Sequence, residues 1–522
     1  MTGAYDIAIA GSGFSGSLLA MIARRLGRSV ILLERGSHPR FAIGESSTPL
    51  ANLMLEEIGL RYGLPEITPL AKWGAWQRSY PDVPCGLKRG FTFYHHVLGQ
   101  AAATPDNRES QLLFAASPHD AIADTHWYRA GFDHLLLRHA QERGADYLDH
   151  VNLQSMSRSS GEWTLEGTRH EEAVTVRAKL VVDAAGPRGF LHHALGLDEA
   201  TLPDYPETQA LFTHFAGVKR LADSPCFQTA EAPPYPIDDA AVHHVFDGGW
   251  VWVLQFNNGV TSAGVAAKSA AAEELRFHEG AAAWERLLAQ IPVLKAQFAS
   301  ARAERPFTHL PRLSFRSATM AGDNWAMLPS AAGFVDPLLS TGFPLTLLGV
   351  LRLAEIIEED WGSESFNGRL SSYAAQTDGD LLAAAGLIGS LYANMGNFPM
   401  FKALSLLYFG AVSFSETARR LGKKHLAPSF LLRDDPSFGP VCRSLFARAR
   451  TLSSEAETCD LTNDILRAIE PFDVAGLAKP HRRNWYPVDA DDLFDAAGKL
   501  GATRDDISQL LSRAGFWPAC TR

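Results

Sequence analysis

The first sixteen residues restrict this chain more than any other segment. Tyr5-Asp6-Ile7-Ala8-Ile9-Ala10 reads as a short buried strand, and Gly11-Ser12-Gly13-Phe14-Ser15-Gly16 follows at once. Ser17 to Leu26 is helical in character, and Val30-Ile31-Leu32-Leu33-Glu34 is a second strand. Gly11 allows the tight turn, Gly13 lets a pyrophosphate approach the backbone, and Gly16 lets helix and strand pack closely. The helix N-terminus offers N–H groups and a positive dipole to phosphates. Glu34 closes the second strand, where a carboxylate accepts hydrogen bonds from an adenosine ribose. An ordinary βαβ turn is the other reading of these glycines. Either way, the chain begins as an α/β fold, and the motif does not choose between FAD and NAD.

Composition narrows the class. The chain has 522 residues, enough for two or three domains. Hydrophobic content of 46% and charged content of 20% fit a globular enzyme. The net charge of -10 comes without a strong basic block, which argues against nucleic acid as a partner. Cys85, Cys226, Cys442, Cys459 and Cys520 are scattered without a CxxC pair. No disulfide framework or metal site is expected, and a reducing cytoplasm fits. A secretory leader and a membrane span are not expected either. The apolar stretch from Ala403 to Phe414 reads as a buried helix.

Two further segments point to flavin. Trp127-Tyr128-Arg129-Ala130-Gly131-Phe132-Asp133 precedes an amphipathic helix, and Val181-Val182-Asp183-Ala184-Ala185-Gly186 is a strand entering a glycine turn. Both resemble segments of the FAD-dependent monooxygenases, in which the arginine, here Arg129, reaches the flavin. No second GxGxxG is placed to hold NAD(P)H. Reduced FAD from a separate NAD(P)H-dependent flavin reductase is therefore expected.

Four ordered motifs extend the resemblance. They are Phe41-Ala42-Ile43-Gly44-Glu45-Ser46-Ser47-Thr48-Pro49, Cys85-Gly86-Leu87-Lys88-Arg89-Gly90-Phe91-Thr92-Phe93, Trp250-Val251-Trp252-Val253-Leu254-Gln255, and Gly333-Phe334-Val335-Asp336-Pro337-Leu338-Leu339-Ser340-Thr341-Gly342. Together they resemble the flavin-dependent halogenases, most of all the branch acting on small phenols such as phloroglucinol. The resemblance implies a Rossmann-like FAD domain interleaved with a β-sheet substrate domain, plus a mostly helical C-terminal region. It implies that reduced FAD, O2 and halide yield hypohalous acid, which passes through a tunnel to a separate chamber. There a lysine, matching Lys88, directs it to an aromatic carbon. Cofactor contacts are implied for Gly11, Gly13, Gly16, Glu34, Arg40, Glu45, Ser46, Arg129, Asp336 and Gly342. Halide contacts are implied for Thr341 and Gly342. Trp250, Trp252 and Gln255 would line the boundary between flavin and substrate.

The residues carry a physical reading of their own. Alternation along one strand would put Lys88, Gly90 and Thr92 on one face and Phe91 and Phe93 on the other. Burial would lower the Lys88 pKa and favour its nucleophilic form; a solvated surface lysine is the alternative. Trp250 and Trp252 share a strand face and suit either a pocket wall or a core. Thr341 and Gly342 stand where a helix with Pro344 in its first turn begins, and its N–H groups can bind an anion. Glu45 is equally a turn cap, and His95 and His96 read as structural.

Three departures from the family pattern matter. The W-x-W-x-I-P motif ends here in Leu254-Gln255, which adds a backbone donor and a polar side chain. Leu328-Pro329 replaces a Gly-Asp pair that reaches the flavin's ribityl chain in relatives. Leu339 replaces a glutamate that assists the lysine in tryptophan halogenases, so tryptophan is not the expected substrate. A hydroxylase or N-oxygenase of the same fold stays open because of Gln255, as does a non-catalytic flavoprotein. The expected FAD domain is 1–50, 100–200 and 305–365, the substrate sheet 51–99 and 200–304, and the helical region 366–522. The aromatic substrate arrives free or on a carrier protein, and the enzyme is a monomer or homodimer.

Overall fold

The computed structural model describes residues 2–100, 108–224, 227, 229 and 231–517; Cys226 and Cys520 lie outside them. Strand Thr2–Ala10, helix Phe14–Arg25 and strand Val30–Leu33 form in the expected order. The two strands run parallel, with Ile7 level with Val30 and Ala10 with Leu33. Ile7 to Ala10 and Val30 to Leu33 are all buried, as a parallel strand covered on both faces requires. At Gly11 (φ 98°) an added Cβ would lie 2.6 Å from the Ala184 carbonyl oxygen, and at Gly16 only 2.2 Å from that of Gly11. Neither position admits a side chain.

This unit belongs to an eight-stranded sheet. Glu172–Asp183 pairs parallel to Thr2–Ala10 and to Trp325–Met327, and Val151–Ser159 and Glu162–Arg169 form an antiparallel meander beside it. The second sheet has nine strands. Its centre is the antiparallel run Thr208–Ala216, Val260–Lys268, Gly249–Gln255 and Ala241–Phe246, followed by Gly90–His95, Gln111–Ala115 and Trp485–Tyr486. The Asn257-Asn258-Gly259 turn joins Gly249–Gln255 to Val260–Lys268 as the sequence suggests, with Gly259 at φ 81°.

Three expected assignments shift. Residues 51–79, expected among the strands, fold mainly as helices Pro49–Arg61 and Trp73–Ser79. Thr48 caps the first through its side-chain oxygen, which accepts from the Ala51 N–H at 3.2 Å, and Pro49 suits the first helical position. Gln111–Ala115 joins the second sheet, not the nucleotide-binding one. The region after 366 is helical as expected (Phe366–Ala393, Phe398–Arg420, Phe438–Ala449, Glu455–Ile469), yet Trp485–Tyr486 returns to the sheet edge. The helix Phe398–Arg420 is largely buried, as the apolar stretch implied.

Candidate active site

Lys88 ends a four-residue strand that pairs antiparallel with Asp124–Trp127, and it stands opposite Asp124. The expected continuous strand is broken at Arg89, whose N–H donates to the Asp239 carbonyl and whose guanidinium holds the carbonyls of Ser117 and Pro118. Lys88, Gly90 and Thr92 therefore do not share a face. The space at Gly90 is closed by the Phe114 carbonyl and the Tyr235 ring, and the Thr92 hydroxyl lies 3.3 Å from Tyr235 Oη.

The Lys88 side chain is fully buried. Its ammonium lies 3.8 Å above the Phe91 ring centroid, a cation–π contact. It donates to Ser46 Oγ at 2.8 Å and to the Ser47 carbonyl, which uses two of its three N–H groups. Burial drives its pKa down, and the Asp124 charge draws it part of the way back. Burial raises the Asp124 pKa, opposed by Lys88 and by an Asn52 amide at 2.8 Å; the second Asp124 oxygen has no hydrogen-bond partner. Burial thus favours the neutral form of both groups. His126 and His243 are also buried, and burial first, Lys88 second, holds both rings neutral.

Phe91 lines a cavity of about 120 Å³ together with Thr48, Phe114, Tyr408, Phe409 and Glu416. Lys88 does not reach the cavity wall; its ammonium meets that space only through Phe91. Of the aromatics in the helical region, Tyr408 and Phe409 line the cavity. Phe398 stacks on His95 and Phe401 meets Phe93 edge-on. His96 bonds His244 at 2.9 Å inside the protein, so the two histidines after the lysine strand are structural.

Trp250 and Trp252 share one face as expected, with ring centroids 5.7 Å apart. On the same face, one cross-strand rung runs Phe212, Gly264, Trp252, His243 and Phe93, and the His243 ring lies 5.3 Å from that of Trp250. A Cβ at Gly264 would fall 2.4 Å from the Trp252 ring, so glycine makes the room this indole fills. Trp252 Nε1 donates to Ser262 Oγ at 3.3 Å. Trp250 Nε1 donates to Tyr392 Oη at 3.2 Å, and Tyr392 and Tyr205 both donate to Asp336, at 2.9 and 2.8 Å. The other Asp336 oxygen accepts from the Leu338 N–H at 2.9 Å. Asp336, expected to face the cofactor, is instead buried with both oxygens engaged, tying Trp250 to the 336–342 loop. Burial pushes its carboxyl up to about 6.

Gln255 departs furthest from expectation. Alternation puts its side chain on the face opposite the two tryptophans, where its oxygen accepts from Arg220 Nη1 at 3.4 Å at the partly exposed edge. It does not join the face that Trp250 and Trp252 share.

At the nucleotide turn, a Cβ on Gly13 would lie 3.7 Å from both Arg129 Nη2 and Arg40 Nη2. Two guanidiniums and a helix N-terminus converge on one glycine, which fits the pyrophosphate of FAD. Arg129 is aimed by Asp133 (2.7 and 2.8 Å) and by the Gly44 carbonyl (2.9 Å). Glu34 accepts from the Ser12 N–H, the Gly36 N–H and Arg40 at 3.1, 3.0 and 3.1 Å. Burial opposes its charge, but Arg40 and these N–H groups prevail and hold the carboxyl near about 2. Glu45 bonds His214 Nε2 at 2.9 Å, and its other oxygen is buried without a partner. Ser46, expected at the cofactor, has its hydroxyl on Lys88.

Leu339 and Ser340 take left-handed conformations in succession, at φ 61° and 55°, a costly arrangement for residues with a Cβ. Tyr408 secures it by donating to the Leu339 carbonyl at 2.8 Å. Thr341 follows, and helix Gly342–Glu359 starts without a side-chain cap from it. The first N–H groups of that helix thus have no capping oxygen from Thr341, and Phe334 at 3.8 Å is the nearest atom to a Cβ on Gly342. Pro329, in the place of the missing aspartate, packs on Gly349 of this helix.

Asp124, Ser47 and His214 were not legible in sequence. Asp124 meets Lys88 only through antiparallel pairing of distant strands, and no local spacing signals that.

A family model described as tryptophan halogenase matches residues 101–382, more than half of the chain. Tetracycline 7-halogenase of Kitasatospora aureofaciens is 30% identical over 429 residues, covering 78% of this chain and 73% of that protein. Monodechloroaminopyrrolnitrin halogenase PrnC of Pseudomonas fluorescens is 30% identical over 373 residues, covering 69% and 64%. Among solved structures, halogenase PltM in complex with phloroglucinol and FAD matches in fold with a TM-score of 0.80 at 23% identity, over 92% of this chain and 99% of that one. With the Gly13 cradle, these matches establish that the chain belongs to the tryptophan halogenase family of flavin-dependent halogenases.

Proposed function

We propose that this enzyme halogenates a small, electron-rich aromatic of the phenol class, with Lys88 delivering the halogen. When bound, reduced FAD supplies the electrons with which O2 and halide give hypohalous acid. Gly13, Arg40 and Arg129 would hold the pyrophosphate in a turn that Gly11 and Gly16 make possible, Glu34 would hold the ribose, and Thr341 with Gly342 the halide. Trp250 and Trp252 keep substrate and flavin apart. A separate flavin reductase in the cytoplasm provides the reduced cofactor.

The observation that carries this reading is a buried lysine held by Ser46 and Ser47 against the aromatic wall of a one-ring cavity. A neutral amine takes the halogen from hypohalous acid with release of water; with the Phe91 ring swung aside, it passes the halogen to the substrate ring, which loses a proton. Burial keeps that amine available. A cavity of roughly 150 Å³ accommodates benzene, so about 120 Å³ suits one ring better than the two of an indole. Glu416 supplies an acceptor for a phenolic hydroxyl in the same cavity. The hydroxylase alternative rested on Gln255, whose side chain faces away.

The test supplies reduced FAD through a partner reductase, with bromide and a panel of phenols, indoles and pyrroles. Mass spectrometry should show the bromine isotope doublet on the phenols. Oxygenated products without a doublet would refute the reading.

A further inference from the structure

A cavity larger than the one described above lies elsewhere in the molecule. It measures about 540 Å³ and sits among the helices Phe366–Ala393, Phe398–Arg420 and Phe438–Ala449. Small-molecule pockets run from roughly 300 to 1,000 Å³, and this volume falls within that range. Its body is apolar, with Leu382, Leu387, Leu407 and Phe446 among the lining side chains.

Its charged lining is lopsided. Arg433, Arg443 and Arg450 contribute guanidiniums, and Asp204 the one carboxylate. Arg450 is paired with Asp204 at 2.9 Å, and Arg433 with Asp434 and Asp380 at 2.6 and 3.3 Å. Arg443 is exposed and makes no ion pair among the described residues. The backbone is shaped to present this cluster. A Cβ at Gly379 would collide with the Arg433 guanidinium, and one at Gly439 would lie 2.0 Å from the Arg433 carbonyl. The turn before Arg433 places Leu431 and Leu432 in left-handed conformations, φ 55° and 52°. Successive strained leucines persist only where the surroundings over-determine them.

We propose that this cavity is a second small-molecule site, and that it takes an organic anion with an apolar body, its acidic group meeting Arg443. The site has a physical link to the halogenation centre. Tyr408 lines both cavities and donates to the Leu339 carbonyl at the start of the 339–342 turn. A ligand here touches the residue that shapes the substrate cavity and secures that turn. The inference does not depend on which aromatic the enzyme halogenates.

The test titrates the full-length protein with 8-anilinonaphthalene-1-sulfonate, and in parallel with the uncharged N-phenyl-1-naphthylamine, following fluorescence. Expected is one saturable sulfonate site per chain, at least tenfold tighter than the neutral analogue. Arg443→Glu, an exposed position, should erase that preference while circular dichroism and FAD binding stay unchanged. Ala383→Trp, which fills the cavity, should abolish binding of both probes. Equal affinity for the two probes would overturn the proposal, and so would sulfonate binding that survives Arg443→Glu undiminished.

Discussion

Gly264→Ala puts the tryptophan wall to a direct test. The new methyl would lie 2.4 Å from Phe212 Cβ and from the Trp252 ring. Carbon contacts settle at about 3.5–4.0 Å, so about 1 Å must be found on two sides at once. Phe212 Cβ is fixed to its backbone, which pairs with Gly264 across the sheet. Trp252 is the group that must move, and moving it breaks the Nε1–Ser262 hydrogen bond, worth about 1 kcal/mol. Overpacking of this kind costs about 1–3 kcal/mol, so the variant should lose about 2–4 kcal/mol. Urea unfolding followed by near-ultraviolet circular dichroism measures the loss. On the proposed reading, in which this indole keeps flavin and substrate apart, its displacement opens that boundary, so halogenated product per reduced FAD consumed should fall and hydrogen peroxide should rise. Stability within about 0.5 kcal/mol of the parent, with an unchanged product-to-peroxide ratio, would refute the idea that this ring is a fixed wall.

Further predictions follow from the lysine and its surroundings. Lys88→Met should lower halogenation by about a hundredfold or more while FAD affinity, read by flavin fluorescence quenching, is unchanged; retained halogenation would remove the role given to Lys88. Free lysine titrates near about 10.4, and burial lowers Lys88, so the pH–rate profile for halogen transfer should bend below that value. Because the Asp124 charge raises the Lys88 pKa, Asp124→Asn should move that bend to lower pH, and a move to higher pH would count against the pairing. In the same variant Lys88 binds fewer protons folded than unfolded between its lowered pKa and about 10.4, so stability should rise with pH across that window. Gln255→Ala should leave the product halogenated and not oxygenated, as judged by mass, since this side chain meets Arg220 and not the tryptophans.

Legibility tracked the distance over which each feature is determined. The nucleotide turn was readable because strand, glycines and helix are consecutive, and each glycine answers to a contact with its own neighbourhood. The tryptophan face was readable because alternation is a property of a single strand. The same rule misled at Lys88, where Arg89 leaves the strand to bond Asp239 and the residues after it enter a different sheet. At Gln255 the family motif drew attention to a change whose side chain alternation already sends to the other face. Asp124 and His214 could not be found from spacing, since their partners Lys88 and Glu45 reach them through the tertiary fold. Asp336 was expected at the cofactor; two tyrosines from remote segments, Tyr205 and Tyr392, claim it instead.

The family match ends at residue 382, whereas most of the small cavity's lining, from Tyr408 to Leu493, comes from beyond it. The glycine turn, Lys88 and the tryptophans all precede residue 383, and most of the walls proposed to choose the ring follow it. On the proposed reading, changes confined to the later stretch would alter which aromatic is accepted without touching the glycine turn, the lysine or the tryptophans.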